Sequence, residues 1–165
     1  KPGLIKEIIE GSNGKPYTVI APVADLVKEL NINVPSNVIV TGFIPAHKVN
    51  PLADIALIHG GQNTVMQACL SGTPFVGVGM HPEQEANIEA CVRKGFAVRR
   101  NKWLDSAESI LKSVDGILKN DKAKHKIEKF KEALQKWDGP ANAAAFLRDK
   151  FSEIDTKHKM VNSAI

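Results

Sequence analysis

The stretch at residues 57–89 limits the possible folds more than any other part of the sequence and reads LIHGGQNTVMQACLSGTPFVGVGMHPEQEANIE. Its two apolar runs contain almost no polar residue, which is typical of buried parallel strands. Each run is followed at once by a helical pattern, and the two helical patterns end at Gly72 and Gly95, residues of the type that commonly ends helices. A strand that turns directly into a helix, twice in succession, indicates an α/β protein.

The same alternation extends through most of the chain. Strands are predicted at 17–22, 37–43, 55–59, 74–79 and 96–100, and helices at 3–11, 23–30, 45–53, 62–71, 83–94 and from 105 to about 151. Within the last of these, Gly139-Pro140 is expected to separate two helices. We therefore predict a Rossmann-like, doubly wound parallel sheet whose strands end at one common edge, where such folds bind ligands.

The first pattern in the chain is a helix, although a doubly wound sheet begins with a strand. In the order 3-2-1-4-5-6, that first strand is central. If 17–22 is the second strand, the central one lies upstream of Lys1, and the sequence is a fragment of a longer protein. We expect a vacant central position in the sheet. We also divide the chain into a domain at 1–151 and a C-terminal tail at 152–165.

Composition narrows the class of protein. The chain has 165 residues, of which 43% are hydrophobic and 24% charged, as expected for one globular domain without a transmembrane segment. The net charge is +4, but many lysines lie on one face of a helical pattern at 122–136, so we expect no nucleic-acid partner. Cys69 and Cys91 are predicted to be buried free thiols, which favours a reducing, cytoplasmic setting. No Cys/His spacing resembles a metal site.

The first polar corner reads HGGQNT and follows the apolar run at 55–59. A helix N-terminus has unpaired N–H groups and a partial positive charge, and glycines let a ligand approach the backbone closely. The side chains that could add donors are those of His59, Gln62, Asn63 and Thr64. This combination suits a phosphate or diphosphate. The alternative is a plain glycine turn with a polar cap.

The second polar corner reads GMHPEQ and follows the run at 74–79. Pro82 is well placed to begin a helix, which puts Glu83 and Gln84 in its first turn. A carboxylate and an amide together offer several acceptors and two donors, a set that suits a sugar. The alternative is a carboxylate that stabilises the helix dipole and binds no ligand.

The two corners and their flanks together resemble the donor-binding C-terminal half of GT-B glycosyltransferases, in the UDP-glycosyltransferase family. The family pattern has an aromatic-x-Pro segment, His-x-Gly-x-Asn-Ser/Thr, Gly-x-Pro, and then Asp/Glu-Gln and Asn. Here these read Gly42-Phe43-Ile44-Pro45, His59-Gly60-Gly61-Gln62-Asn63-Thr64, Gly72-Thr73-Pro74, and Glu83-Gln84 with Asn87. The resemblance is close over about 37–100 and looser elsewhere.

The resemblance implies a role for each matched position. Phe43 would face the nucleobase, the backbone of Ile44 would pair with the edge of the base, and Gln67 stands at the ribose position. The diphosphate would be held by His59, Gly61, Gln62, Asn63 and Thr64. The sugar would be held by Glu83 and Gln84. Gln67 replaces the usual glutamate, and Phe43 replaces the tryptophan of plant members, so UDP and dTDP donors both remain open.

The reaction that the resemblance implies is inverting transfer of a hexosyl group from a nucleotide sugar to an acceptor. The acceptor and the catalytic base would belong to an N-terminal half that is absent here. We therefore assign no catalytic residue, no metal and no cofactor, and expect the isolated chain to bind donor without turnover. The alternatives are a nucleotide-sugar-binding module or partner subunit, a GT-B sugar-nucleotide epimerase, and a nucleic-acid binder, whose binding would depend steeply on salt.

Overall fold

The computed structural model describes the backbone of residues 2–162 and the side chains of residues 3–152. Helices and strands alternate as far as the fifth strand and are followed by three helices. The elements are α1 (Pro2–Gly11), β1 (Val19–Ala21), α2 (Ala24–Glu29), β2 (Val38–Val40), α3 (Ala46–Val49) with a 3-10 turn (Asn50–Leu52), β3 (Ala56–Ile58), α4 (Gln62–Ser71), β4 (Phe75–Gly79), α5 (Pro82–Lys94), β5 (Ala97–Asn101), α6 (Ala107–Leu118), α7 (Asp121–Gln135) and α8 (Gly139–Asn162).

The five strands form two parallel sheets. β1 pairs with β2, and the other sheet has the order β3-β4-β5. No pairing joins the two sheets among residues 2–162. The predicted α/β class with parallel strands is confirmed, and the division into two sheets agrees with a vacant central position. β1, β2 and β3 have three residues each, fewer than predicted, because a ladder extends only as far as its partner strand.

Helix α1 contributes to two hydrophobic cores of the described residues. Leu4 packs in a core with Val76 and Val78 of β4 and with residues of α6. Ile9, further along the same helix, packs in a second core with residues of β1 and β2. Leu4 and Ile9 both lie in the helix that the sequence predicted at 3–11. This one helix therefore packs against the cores of both sheets.

Strand β4 is the most buried element of the three-stranded sheet. All of its residues are buried, as its apolar sequence predicted. The ring of Phe75 packs edge-on against that of Phe96, which in turn contacts Phe130 of α7. Cys69 of α4 and Cys91 of α5 are free and buried, as predicted. Helices α4 and α5 are thus packed firmly at their middle and C-terminal turns.

The C-terminal region has one more break than the sequence predicted. Helix α6 ends at Leu118, and α7 begins at Asp121, where the Ala123 N–H donates to the side-chain oxygen of Asn120 at 3.1 Å. The predicted break at Gly139-Pro140 is confirmed, and α8 begins there.

Helix α8 continues to Asn162, although the sequence showed little pattern beyond 151. The last residues of the predicted tail, 163–165, lie outside the described residues. Two compact units are distinguished, Lys1–Lys131 and Glu132–Ile165. Within the described residues, no helix combines the length and the apolar character that crossing a membrane requires.

Candidate functional site

The corner between β3 and α4 has a backbone that requires glycine. Gly60 has φ of 84°, in the left-handed region that side chains disfavour. A Cβ atom at Gly60 would lie 2.5 Å from Cδ1 of Ile88 and 2.8 Å from the carbonyl oxygen of Gln84. The chain therefore turns sharply after β3 and lies directly against helix α5, with no side chain between them.

The imidazole of His59 lies over the start of helix α4. Its Nε2 atom is 2.6 Å from the position that a Cβ of Gly61 would occupy. Gly61 is the N-cap residue and has no side chain to satisfy the first-turn N–H groups, and the first turn contains no acidic residue. The side chains of Gln62 and Asn63 are exposed, and that of Thr64 is half-buried. The positive end of the α4 dipole is therefore open, with an imidazole beside it.

At the corner between β4 and α5, contacts within the chain orient the polar side chains. The Met80 N–H donates to Oε1 of Gln84 at 2.8 Å, so the amide nitrogen of Gln84 remains to donate outward. Oε2 of Glu83 lies 3.8 Å from Nδ1 of His81. No side chain caps α5, whose N-cap residue is His81. The corner thus offers an amide donor and a carboxylate acceptor side by side.

Asn87 connects the two corners. Its side-chain nitrogen donates to the Gly60 carbonyl oxygen at 3.1 Å and also to Oε1 of Glu83. Asn87 stands in the family pattern at a position for which the resemblance implied no role. Its position four residues after Glu83 is the signal that could have indicated a contact, because residues i and i+4 share a helix face.

The parallel pairing of β3 with β4 places both corners at one sheet edge. His59, Gly61, Gln62, Asn63 and Thr64 follow β3, while Glu83 and Gln84 follow β4. Phe43 and Ile44 follow β2, in the other sheet, and the Phe43 side chain is 92% exposed. Gln67 lies on α4, beyond the first turn, and is partly exposed. No hydrogen bond or ring contact joins Phe43 or Gln67 to the corners among the described side chains.

A third helix, α6, starts after β5, and its N-terminus is capped by side chains of the chain itself. The Ser106 hydroxyl accepts a hydrogen bond from the Ser109 N–H at 3.2 Å. The Asp105 carboxylate accepts from the Asn101 N–H at 2.7 Å, from the Ser109 hydroxyl at 3.1 Å and from Arg100 at 3.3 Å. The hydrogen bond from Asn101, with smaller contributions from Ser109 and Arg100, lowers the pKa of Asp105 below its ordinary value.

Metal-binding side chains do not cluster in the described part of the chain. No group of three His, Cys, Asp or Glu side chains there has a geometry that could hold an ion. The polar groups at the two corners are instead backbone N–H groups, amides, hydroxyls, imidazoles and one carboxylate. Such a set suits an anion next to a group rich in hydroxyls.

Solved glycosyltransferase structures have the same fold. The calicheamicin glycosyltransferase CalG4 superposes with a TM-score of 0.81 at 19% identity, over 93% of this chain and 40% of that one. The glycosyltransferase VinC, solved in complex with dTDP, superposes with a TM-score of 0.71 at 19% identity, over 78% of this chain and 32% of that one. The fold is therefore that of one part of a GT-B glycosyltransferase.

Sequence comparison identifies the family. The model of the family described as UDP-glucoronosyl and UDP-glucosyl transferase matches residues 30–140, more than half of the chain. The chain belongs to this family of glycosyltransferases. It is 26% identical over 149 residues to the demethyllactenocin mycarosyltransferase of Streptomyces fradiae, covering 87% of this chain and 32% of that protein. It covers well under half of the length of the curated relatives it matches, 32% and 37% in two of them and 20% in a third.

Proposed function

We propose that this chain is the donor-binding half of an inverting, nucleotide-sugar-dependent glycosyltransferase. In this proposal His59, Gly61, Gln62, Asn63 and Thr64 bind the diphosphate, while Glu83 and Gln84 bind the sugar. Phe43, Ile44 and Gln67 bind the nucleoside of a UDP-sugar or dTDP-sugar. The observation that carries the proposal is the pair of adjacent helix starts, both without a side-chain cap, at the ends of β3 and β4.

The charge that develops during transfer explains why these groups suit the reaction. The acceptor oxygen forms a bond to the anomeric carbon as the bond from that carbon to the diphosphate oxygen breaks. Negative charge then builds on the diphosphate, next to the α4 N–H groups and the His59 imidazole. Groups already in place for that charge lower the barrier, and losing one such donor typically costs about 10²–10³ in rate.

The acceptor proton needs a base, which we place in an N-terminal acceptor-binding half outside this chain. No residue at the two corners is assigned that role. The chain covers 32% and 37% of the length of two curated relatives, which leaves room for such a half in proteins of that length. The isolated chain is therefore expected to bind the donor and to transfer no sugar.

We also propose that a strand from outside the chain lies between the two parallel sheets. The doubly wound order places the first strand in the centre of the sheet, and helix α1 would follow it. The separate pairing of β1 with β2 and of β3 with β4 supports this arrangement. A cytoplasmic location is proposed on the two free, buried thiols of Cys69 and Cys91.

Calorimetric titration of UDP, dTDP and UDP-glucose into the chain tests the donor-binding role. We expect one nucleotide to bind per chain, and His59→Ala to bind at least about tenfold more weakly, or about 1.4 kcal/mol. His125→Ala is the matched control, because His125 is an exposed histidine on α7. Its affinity should equal that of the wild type.

Two results would overturn the proposed function. One is a folded wild-type chain that binds no nucleotide, in which case the two corners are structural turns. The other is equal binding by wild type, His59→Ala and His125→Ala, which would remove the diphosphate from the start of α4. Sugar transfer by the chain alone would refute the assignment of the base to another half.

A further inference from the structure

The side-chain amide of Asn87 is shared between the two corners. An asparagine amide nitrogen has two hydrogens. In this structure one points to the Gly60 carbonyl oxygen, 3.1 Å away, and the other to Oε1 of Glu83. Both donors of Asn87 are therefore used within the chain, one for each corner. No other side chain among residues 3–152 donates hydrogen bonds to both corners.

The close approach of α5 to the first corner makes this bridge possible. Ile88, the neighbour of Asn87, occupies the space that a Cβ atom would fill at Gly60 or at Gly77, 2.5 Å from each position. The Ile88 side chain is fully buried. The helix is therefore seated against both the β3–α4 corner and strand β4, and the position of Asn87 relative to Gly60 is determined by packing.

Of the two proposed sugar-binding residues, Gln84 is held in place by a hydrogen bond that does not involve Asn87. Oε1 of Gln84 accepts from the Met80 N–H, and the Met80 carbonyl oxygen accepts from Lys102. Glu83 is the exception, because its exposed carboxylate has only Asn87 as a hydrogen-bond donor among the described residues. Without that donor, the Glu83 carboxylate would keep only the His81 imidazole, whose Nδ1 lies 3.8 Å from Oε2, and its side chain would be less restrained among its rotamers.

We infer that Asn87 is a positioning residue that holds the Glu83 carboxylate at a set distance from the diphosphate corner, so that the diphosphate and the sugar of a nucleotide sugar are recognised together. This inference rests on the proposed function and adds the residue that couples its two subsites. Asn87 contacts neither subsite ligand through its donors. Its effect on binding is exerted through Glu83, whose carboxylate it holds relative to the Gly60 backbone.

The consequence is a difference between two ligands. A nucleoside diphosphate would contact the start of α4 and not Glu83, so loss of the Asn87 amide should leave its binding nearly unchanged. A nucleotide sugar needs Glu83 in place and should bind more weakly. A residue that only stabilised the fold would affect both ligands equally.

Calorimetry on the whole chain with UDP, UDP-glucose, dTDP and dTDP-glucose tests this difference in Asn87→Ala and Asn87→Asp. With the nucleotide that binds, we expect the Kd of the sugar form to rise at least about tenfold and that of the diphosphate to change less than about threefold. Asn87→Asp should lose at least as much, because its carboxylate cannot donate and would repel Glu83. Glu89→Ala, on the same helix, is the control and should leave both Kd values unchanged. Circular dichroism melting establishes that each variant is folded.

Other results would overturn the inference. An equal rise in both Kd values would make Asn87 a structural residue of the β3–α4 corner. No change in either value would show that Glu83 does not depend on it. If the folded wild type bound no nucleotide at all, the proposed function would fail and this inference with it. If the variants bound diphosphates and kept the wild-type ratio of the two Kd values, the inference would fail while the proposed function would stand.

Discussion

Two helix starts that follow the outer strands of the β3-β4-β5 sheet are built in opposite ways. Helix α4 begins after Gly61, which has no side chain, and its first turn has no acidic residue. Helix α6 begins after Ser106, whose hydroxyl accepts the Ser109 N–H, and Asp105 adds a carboxylate to the same turn. Both helices face the same need to satisfy their first N–H groups. Helix α6 meets this need with side chains at its own start, whereas no side chain caps the first N–H groups of α4.

Because of this difference, we expect changes at the α6 start to affect stability and changes at the α4 start to affect ligand binding. At the start of α6, polar side chains are used for folding, so changes there should alter stability and leave ligand affinity unchanged. At the start of α4, the open N–H groups and the His59 imidazole contribute little to folding, so side-chain changes there should alter affinity and leave stability unchanged. Gly60 is the exception, because its backbone both shapes the site and packs against Ile88.

The largest effect is expected from Gly60→Ala. A left-handed backbone costs a non-glycine residue about 1–2 kcal/mol, and the clash with Ile88 adds about 1–3 kcal/mol of overpacking. We expect the free energy of unfolding to fall by their sum and nucleotide binding to be lost. Urea denaturation and calorimetry measure the two quantities.

The matched control is Gly116→Ala in α6, where an added Cβ would have nothing within 4 Å. A helical glycine replaced by alanine there should gain up to about 1 kcal/mol, and nucleotide binding should be unaffected. If Gly60→Ala kept both its stability and its affinity, the close packing of the β3–α4 corner against α5 would be wrong.

A smaller and pH-dependent effect is expected from Asp105→Asn. The pKa of Asp105 is lowered from its ordinary value of 3.8, so its carboxylate adds stability above that pH and loses it as the pH falls through the folded-state pKa. The variant should lose about 1–3 kcal/mol of unfolding free energy at pH 7. The difference from wild type should shrink below about pH 4. Urea denaturation across this range measures it, and a loss that is constant at all pH values would contradict the assignment.

The smallest effect is expected from Ser106→Ala, which removes the cap of α6. Loss of a serine N-cap typically costs about 1 kcal/mol. The affinity for UDP or dTDP should stay at the wild-type value, as calorimetry would show. Ser106→Asp, which retains a capping acceptor, should keep the stability. A weakened nucleotide affinity in Ser106→Ala would mean that the α6 start belongs to the ligand site, and the contrast between the two helix starts would fail.

Local signals in the sequence predicted much of the fold. Helix α4 has the bounds predicted for it, because a Gly-Gly corner directly precedes its first residue and Gly72 directly follows its last. Helix α5 begins at Pro82, one residue before the prediction, since proline occupies the first helical position readily. The carboxyl-edge location of both corners followed from parallel strands and right-handed crossovers.

Features that depend on distant contacts could not be predicted in the same way. Asn87 meets Gly60 across 27 residues, and the close approach depends on Ile88 filling the space that two glycines leave. The start of α7 depends on one asparagine cap, which the apolar periodicity did not reveal. The division into two sheets depends on strand pairing, which local patterns do not determine. The sequence therefore predicted which residues stand at the site edge, but not the contacts that hold them.

The most direct test of the account is the amide NMR spectrum of the ¹⁵N-labelled chain during titration with UDP or dTDP. If the start of α4 binds the diphosphate, the largest shifts should occur at the backbone amides of Gly61, Gln62, Asn63 and Thr64. The amide of Ser109, already bonded to Ser106, should stay unchanged. Shifts at Ser109 without shifts at Gln62, Asn63 and Thr64 would show that the open start of α4 is not the binding site.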